Sequence, residues 1–198
     1  LLADAFWPGP LTMIFKKTDR VPMATTGGLP TVAVRMPSNK IAAALIRAAG
    51  GYIAAPSANR SGRPSPTVAK YVIEDLDGRV EMIIDGGFSA IGLESTIIDL
   101  SEGEPMILRP GYVTQEKMTQ VIGNVDVDRT ILDASSKEAP KAPGMKYRHY
   151  APKGNLTIVE GPQEKVTACI NEKLSEGHKQ GLKTGVIATD ETIEQYQA

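Results

Sequence analysis

The chain has 198 residues, 41% of them hydrophobic, and a formal net charge of -1 at pH 7. This composition predicts one or two globular domains and excludes a disordered or fibrous protein. The near-neutral charge argues against binding of nucleic acid by bulk electrostatic attraction, although a local basic patch stays open.

The first elements predicted along the chain are two strands and a helix. Leu11–Phe15 and Thr31–Arg35 have the apolar and β-branched composition that is typical of strands. A helix then begins after Ser38 or Asn39, either of which can cap it, and it ends at Gly50–Gly51.

Pro56–Thr67 is a polar loop that follows the apolar run Tyr52–Ala55, which is predicted to be a buried strand. A helix is predicted to open at the end of the loop, at Ser65. A strand that ends in such a loop often builds an anion or nucleotide site, and the alternative is a plain surface loop. Ser57 and Asn59 are alternate residues on an extended backbone. Their side chains therefore point the same way and can orient a phosphate chain, a magnesium-bound water or an amino acid.

The next elements are strands, a helix and a linker. Val80–Ile84 is predicted to be a strand, and Ser95–Leu100 is predicted to pair with Met106–Arg109 across a turn. Thr114 opens a helix. Asp133–Lys153 is rich in Ser, Lys, Ala and Pro without clear periodicity, which indicates a linker.

Beyond the linker the pattern predicts a β-α-β unit. Leu156–Val159 and Thr184–Ala188 are predicted strands, and they flank a helix from Pro162 to about Glu176. Such a unit is typical of a parallel sheet with a right-handed crossover. The predicted organisation is a first domain over 1–132, a linker over 133–153 and the start of a Rossmann-like α/β domain over 154–198.

Polar groups stand at the ends of several predicted strands. Arg35 and Arg109 close two of them, and Ser95 begins another. Arginine at a strand end can bind a carboxylate or phosphate with two parallel hydrogen bonds. A single arginine of this kind is more often part of a surface ion pair, so a binding site requires that several of these groups converge.

Nucleophilic catalysis and metal binding by His or Cys have little support. The sequence contains no Gly-x-Ser-x-Gly motif, no P-loop and no Gly-x-Gly-x-x-Gly motif, and its only histidines are His149 and His178. The single Cys169 excludes an intrachain disulfide and a cysteine-rich zinc site. No apolar run is long enough to span a bilayer and no signal peptide is visible, so we expect a cytoplasmic protein without a membrane partner.

Pro143–Pro152 is unusual for a linker because it holds two tyrosines, a histidine, a lysine and an arginine between prolines. Such side chains favour docking onto a surface or stacking on a base. We predict that the segment is a lid over a bound nucleotide. The alternative is a segment that rests on its own domain.

Six segments, in order along the chain, resemble the YrdC-like family of threonylcarbamoyl-adenylate synthases in its longer, two-domain form. They are Trp7–Thr12, Val32–Pro37, Ala55–Gly62, Glu94–Ile97, Leu108–Gly111 and Pro143–Tyr150. The resemblance covers nearly the whole chain, and it implies a twisted mixed sheet with flanking helices and a concave site.

The resemblance implies a nucleotidyltransferase that uses L-threonine, bicarbonate and ATP, with Mg²⁺, to make threonylcarbamoyl-AMP and pyrophosphate. A partner transferase complex would then pass the threonylcarbamoyl group to an adenosine of tRNA, and weak binding of RNA is a further expectation. The residues carried over for ATP are Thr31, Ser57, Ser65, Arg109, Arg148 and His149. Those for threonine are Arg35, Ala55 and Ser95, and those for catalysis are Ser57 and Asn59. No metal ligand is carried over.

The chain departs from the family pattern at its beginning. The family's upstream Lys-x-Arg segment is absent, and the chain starts at Leu1 rather than at a methionine. We therefore expect a fragment that lacks the N-terminal part and most of the C-terminal domain, with weak activity or none. Two other functions stay open: an RNA-binding module, and a carbamoyltransferase domain of the hydrogenase-maturation type that uses carbamoyl phosphate.

Overall fold

The computed structural model describes residues 1–128 and 154–197. The chain forms two compact units, Leu1–Ala151 and Pro152–Ala198. The predicted linker and lid, with Arg148 and His149, lie outside the described residues. The predicted domain boundaries therefore stay predictions.

A mixed five-stranded sheet forms the centre of the first unit. Its strands are β1 (Leu11–Lys16), β2 (Thr31–Val34), β3 (Thr96–Asp99), β4 (Met106–Arg109) and β5 (Asp126–Val127), in the spatial order β2-β1-β3-β4-β5. β1 is antiparallel to β2 and parallel to β3, while β4 is antiparallel to β3 and parallel to β5. The predicted α/β fold with a mixed sheet is confirmed.

The helices of this unit are α1 (Leu2–Phe6), α2 (Lys40–Ala48), α3 (Ala69–Leu76) and α4 (Gln115–Ile122). Asn39 rather than Ser38 caps α2, because its Oδ1 accepts hydrogen bonds from two backbone amides of the first turn, each at 3.0 Å. Thr114 caps α4 as predicted. The predicted start of α3 at Ser65 is wrong, since the helix begins at Ala69 and the Ser65 hydroxyl donates to a distant carboxylate instead.

The two faces of the sheet carry separate apolar clusters, as the alternation of strand side chains dictates. Leu11 and Met13 of β1 belong to the main core, which also includes Leu2 of α1 and Met118 of α4. Ile14 belongs to the cluster on the other face. Each such side chain contributes about 1.5–3 kcal/mol when it is fully buried. The main core therefore fixes the position of β1 and of the strands beside it.

Two predicted strands of the first unit are wrong. Tyr52–Ala55 and Val80–Ile84 pair with no strand in the part of the chain that the structure describes. Their side chains are not buried either, since Tyr52 is 84% exposed and Met82 is 76% exposed. Apolar composition indicates that a segment can form a strand, but the strand itself requires a neighbour that satisfies its backbone groups.

The second unit contains α5 (Gln163–Lys179) and a short 3-10 turn, Ile193–Gln195. The predicted helix is confirmed and extends a few residues further than expected. Asn171 joins the two elements: its Nδ2 donates to the carbonyl of Gln195 at 3.0 Å, and its Oδ1 accepts from the amide of Gln197 at 2.9 Å.

The strands predicted on either side of α5, Leu156–Val159 and Thr184–Ala188, are not strands in this structure. The reason is the one that applies to the first unit: no described segment lies beside them as a hydrogen-bonding neighbour. Only the helix of the predicted β-α-β unit is therefore seen. None of the described helices has both the length and the apolar character to cross a membrane.

Candidate functional site

The strand directions bring four polar residues to one edge of the sheet. Thr12 lies near the start of β1, and Ser95 immediately precedes β3, which runs parallel to β1. Arg109 ends β4, which is antiparallel to β3, and Arg35 follows β2, which is antiparallel to β1. The ends of β2 and β4 therefore meet the starts of β1 and β3. The sequence did not show whether the polar groups at strand ends come together. In the structure Arg35, Ser95 and Arg109 do so.

Hydrogen bonds hold the Arg109 guanidinium against Ser95. Its Nε and Nη2 donate to the carbonyl oxygen of Ser95 at 3.1 and 2.9 Å, and Nη2 also donates to Ser95 Oγ at 3.1 Å. Ser95 Oγ is 2.8 Å from the hydroxyl oxygen of Thr12. Ser95 is buried. The contact between two hydroxyls therefore connects β1 with the backbone that precedes β3.

Glu94 joins this group to the polar loop. Its Oε2 pairs with Nη1 of Arg109 at 2.8 Å, and its Oε1 accepts a hydrogen bond from the Ser65 hydroxyl at 2.8 Å. Both charged side chains are partly buried, with 29% of the Glu94 side chain and 37% of the Arg109 side chain exposed. Hydrogen bonds to charged groups are the stronger ones, about 1.5–3 kcal/mol each. Ser65, Ser95 and Arg109 are thus parts of one network.

The electrostatics of the network favour an anion. Burial lowers the pKa of Arg109, the Glu94 carboxylate raises it, and the nearby positive charge of Arg35 lowers it, with a net decrease. The guanidinium nevertheless keeps its charge at neutral pH. Arg35 is exposed, and among the residues that the structure describes no acidic group forms an ion pair with it. Two cations and one carboxylate leave an excess of positive charge at this edge of the sheet.

Gly111 permits the chain after β4 to pass close to the Glu94–Thr96 backbone. A Cβ at this position would overlap the carbonyl oxygen of Glu94 and would lie 2.6 Å from the amide nitrogen of Thr96. Two hydrogen bonds fix this crossing: Thr96 Oγ1 donates to the carbonyl of Val113 at 2.7 Å and accepts from the Val113 amide at 3.1 Å. The Arg-Pro-Gly sequence therefore positions the residues of the site.

A second polar group holds the loop that contains Asn59. Asn59 Nδ2 donates to the carbonyls of Arg60 and Arg63 at 3.0 and 2.9 Å. Asp75 of α3, only 6% exposed, accepts from the Arg60 amide at 3.1 Å through Oδ2 and forms an ion pair with Arg63 through Oδ1. Asn59 Oδ1 is buried and accepts no hydrogen bond. The loop is thus tied to α3, and one amide oxygen remains unused.

The other predicted site residues are not joined to the network by any described contact. Ala55 is exposed at the end of the segment that was predicted to be a strand, Ser57 is exposed in the polar loop that follows, and Thr31 begins β2. Arg148 and His149 lie outside the described residues. The roles of all these residues stay predictions.

A cavity of about 330 Å³ lies beside α3, and its lining includes Pro66 and Thr67, which follow Ser65. Its wall is largely apolar and includes Val72 and Leu76 of α3 with Met82 and Ile84 of the unpaired segment. Neither arginine of the network lines it. The chemistry of an anion site therefore points to the edge of the sheet rather than to this cavity.

Two residues of the site were not singled out by sequence reasoning. Glu94 stands directly before Ser95, and a carboxylate next to a predicted site serine was the available signal. Asp75 lies on α3 between Val72 and Leu76, which share the apolar side of the helix. An acidic residue at that spacing indicates a buried carboxylate with a partner.

Two family profiles match this chain. A profile of the Sua5–YciO–YrdC family, described as "Telomere recombination", matches residues 1–111. A second profile, "Threonylcarbamoyl-AMP synthase, C-terminal domain", matches residues 113–198.

Several named relatives share this similarity. The threonylcarbamoyl-AMP synthase of Pyrococcus abyssi is 50% identical over 189 residues, which are 96% of this chain and 55% of the relative. That of Bacillus subtilis is 46% identical over 198 residues, which are 100% of this chain and 56% of the relative. The chain thus spans little more than half the length of these relatives.

A solved structure shares the fold. The crystal structure of P. abyssi Sua5 complexed with L-threonine matches with a TM-score of 0.84 and 48% identity, over 96% of this chain and 57% of that one. The first family profile covers more than half of the chain, including the whole network around Glu94. The chain therefore belongs to the Sua5–YciO–YrdC family.

Proposed function

We propose that this chain carries threonine- and nucleotide-binding groups of an enzyme that makes L-threonylcarbamoyl-AMP from L-threonine, bicarbonate and ATP. The observation that carries the proposal is the network in which Ser65, Ser95 and Arg109 meet through Glu94, with Arg35 beside them. The names of the relatives support the same reaction, as does the threonine in the P. abyssi structure.

The reaction requires positioning and charge neutralisation more than a nucleophilic side chain. The threonine amine and bicarbonate condense to a carbamate and release water. A carbamate oxygen then attacks the α-phosphorus of ATP, and the bond to pyrophosphate breaks. Transfers at phosphorus are accelerated chiefly by orientation of the reactants and by stabilisation of charge.

The network suggests a division of roles between the two arginines. Arg109 is held by Ser95 and Glu94, so it offers a fixed positive charge beside Ser65 for the phosphates of ATP. Arg35 forms none of the described ion pairs, and its guanidinium suits the carboxylate of threonine. Thr31, Ser57 and the lid residues Arg148 and His149 would add further contacts to ATP. Ser57 and Asn59 would orient the reacting groups, and Ala55 and Ser95 would face threonine.

Magnesium is proposed to enter with the phosphates of ATP. The residues that the structure describes contain no group of three or more His, Cys, Asp or Glu side chains that could hold a metal ion, and Glu94 is engaged by Arg109 and Ser65. The described donor set therefore does not fit a metal held by the protein. Magnesium often retains water and binds chiefly to substrate phosphates.

The product is a mixed anhydride that water hydrolyses readily. A protein that makes it is best coupled to a tRNA-modifying transferase that consumes it, and the cytoplasm is the compartment that we propose for both. A lid formed by Pro143–Pro152 would exclude water during the reaction. Weak binding of RNA is a further part of this proposal.

The experiment is exchange of labelled pyrophosphate into ATP by the full-length protein, with chromatographic detection of threonylcarbamoyl-AMP. We expect exchange that requires both threonine and bicarbonate. Product formation from carbamoyl phosphate without bicarbonate would favour the carbamoyltransferase alternative. Salt-dependent RNA binding without any exchange would favour the RNA-binding module.

A further inference from the structure

We infer that Glu94 is a positioning residue of the site, one that acts through Ser65 and Arg109 rather than on the substrates. The inference rests on the proposed function. Each oxygen of the Glu94 carboxylate has a different partner, Ser65 Oγ on one side and Arg109 Nη1 on the other, both at 2.8 Å. The two partners are 44 residues apart in sequence and belong to a loop and a strand end.

The first consequence concerns the plane of the Arg109 guanidinium. Ser95 holds the Nε and Nη2 side of the group through its carbonyl and hydroxyl, and Glu94 holds Nη1. A guanidinium is planar, so donors fixed on both sides determine its orientation. Without Glu94 the contacts between Arg109 and Ser95 remain, but Nη1 of Arg109 loses its acceptor.

The second consequence concerns the loop. Glu94 contacts the polar loop at Ser65, and Asp75 holds the same loop a few residues earlier, at Arg60 and Arg63. The segment between them includes Pro64, which restricts the backbone of Arg63. Two carboxylates thus fix the two ends of this segment. Loss of Glu94 would leave the Ser65 end without this link to Arg109.

The third consequence concerns charge. Glu94 neutralises Arg109, and Arg35 has no ion pair within the described residues. A ligand carboxylate would therefore encounter Arg35 as the uncompensated cation. Removal of the Glu94 charge would create a second uncompensated cation beside the first, and the site would discriminate less well between anions.

The test uses the full-length protein with Glu94→Gln, Glu94→Asp, Ser65→Ala and the double variant Ser65→Ala/Glu94→Gln. Glutamine has an NH2 group, which cannot accept, in place of one carboxylate oxygen, so one of the two partners loses its acceptor, and aspartate is too short to span them. We expect kcat for threonine-dependent pyrophosphate exchange to fall about tenfold or more in both Glu94 variants. A loss of this size corresponds to the contribution of one hydrogen bond to a charged group. The midpoint of thermal unfolding should also fall, so kcat is compared at a temperature well below the midpoint of each variant. Glu104→Gln, in the exposed turn between β3 and β4, makes the same change of charge and should retain activity within about twofold of wild type.

The double variant distinguishes positioning from a general structural role. If Glu94 acts through Ser65, the double variant should lose less activity than the product of the two single losses. An activity loss in the double variant equal to the product of the two single losses would overturn the inference. Normal kcat in Glu94→Gln would overturn it as well. Absence of exchange in the wild-type protein would instead refute the proposed function.

Discussion

Removal of the Asp75 carboxylate should release the polar loop from α3. Asp75 is 6% exposed, and it is the described partner of both the Arg60 amide and the Arg63 guanidinium. Asp75→Ala deletes both contacts. Asp75→Asn retains an acceptor for the Arg60 amide but loses the charge that pairs with Arg63.

The magnitude follows from the two contacts. A hydrogen bond to a charged acceptor contributes about 1.5–3 kcal/mol. The ion pair contributes less, about 0.2–1 kcal/mol, because 54% of the Arg63 side chain is exposed to solvent. Asp75→Ala should therefore lower the free energy of unfolding by about 2–4 kcal/mol, and Asp75→Asn by about 1 kcal/mol.

Denaturant unfolding and limited trypsin digestion measure the two effects separately. Trypsin cleaves after arginine, and the bond after Arg60 lies in the loop that Asp75 holds. Cleavage there should accelerate in Asp75→Ala under native conditions. The matched control is Glu74→Ala, which removes an exposed carboxylate from the same helix and should cost less than about 0.5 kcal/mol. Equal stability and equal cleavage rates for the alanine variants at 74 and 75 would refute the reasoning.

Three other predictions concern the edge of the sheet and the lid. Arg35→Lys should fold normally but lose about tenfold or more in kcat/KM for threonine, because lysine cannot bind a carboxylate bidentately; unchanged exchange kinetics would contradict this role. Gly111→Ala should lower the free energy of unfolding by about 1–3 kcal/mol. The control is Gly185→Ala, whose added Cβ would have no atom within 4 Å and which should not lower it. Chemical denaturation measures both variants, and equal stability of the two would contradict the prediction. ATP with threonine should slow proteolysis within Pro143–Pro152 more than ATP alone, and replacement of Tyr147–Tyr150 by Gly-Ser residues should increase wasteful ATP consumption; equal proteolysis with and without ligands would leave only a linker.

Short-range rules explain which elements the sequence predicts correctly. Asn39 and Thr114 cap their helices within three residues, and β3 and β4 are joined by a short connection of six residues, so each of these features depends on local chemistry. Tyr52–Ala55 and Val80–Ile84 have equally clear strand composition, but their pairing depends on a distant segment. The sequence pattern indicates that a segment can form a strand, but it does not show whether a neighbouring strand is present to pair with it.

The same distinction explains the site. Sequence reasoning placed Arg35, Ser95 and Arg109 at strand ends, which is a local property, but could not place those ends on one edge of the sheet. That result depends on β2 and β4 running against β1 and β3. The role of Glu94 was missed because its partner Ser65 is 29 residues away. No pattern within a single element connects them.

A register shift between β3 and β4 completes the site. Ile98 faces Ile107, but Ile97 faces Arg109 rather than Leu108, so β4 has one more residue than β3 at this point. In a regular antiparallel ladder Arg109 would lie opposite Thr96 instead. Bulges of this kind redirect side chains next to functional sites. The bulge places Arg109 beside Ile97, and its guanidinium reaches back to Ser95 and Glu94.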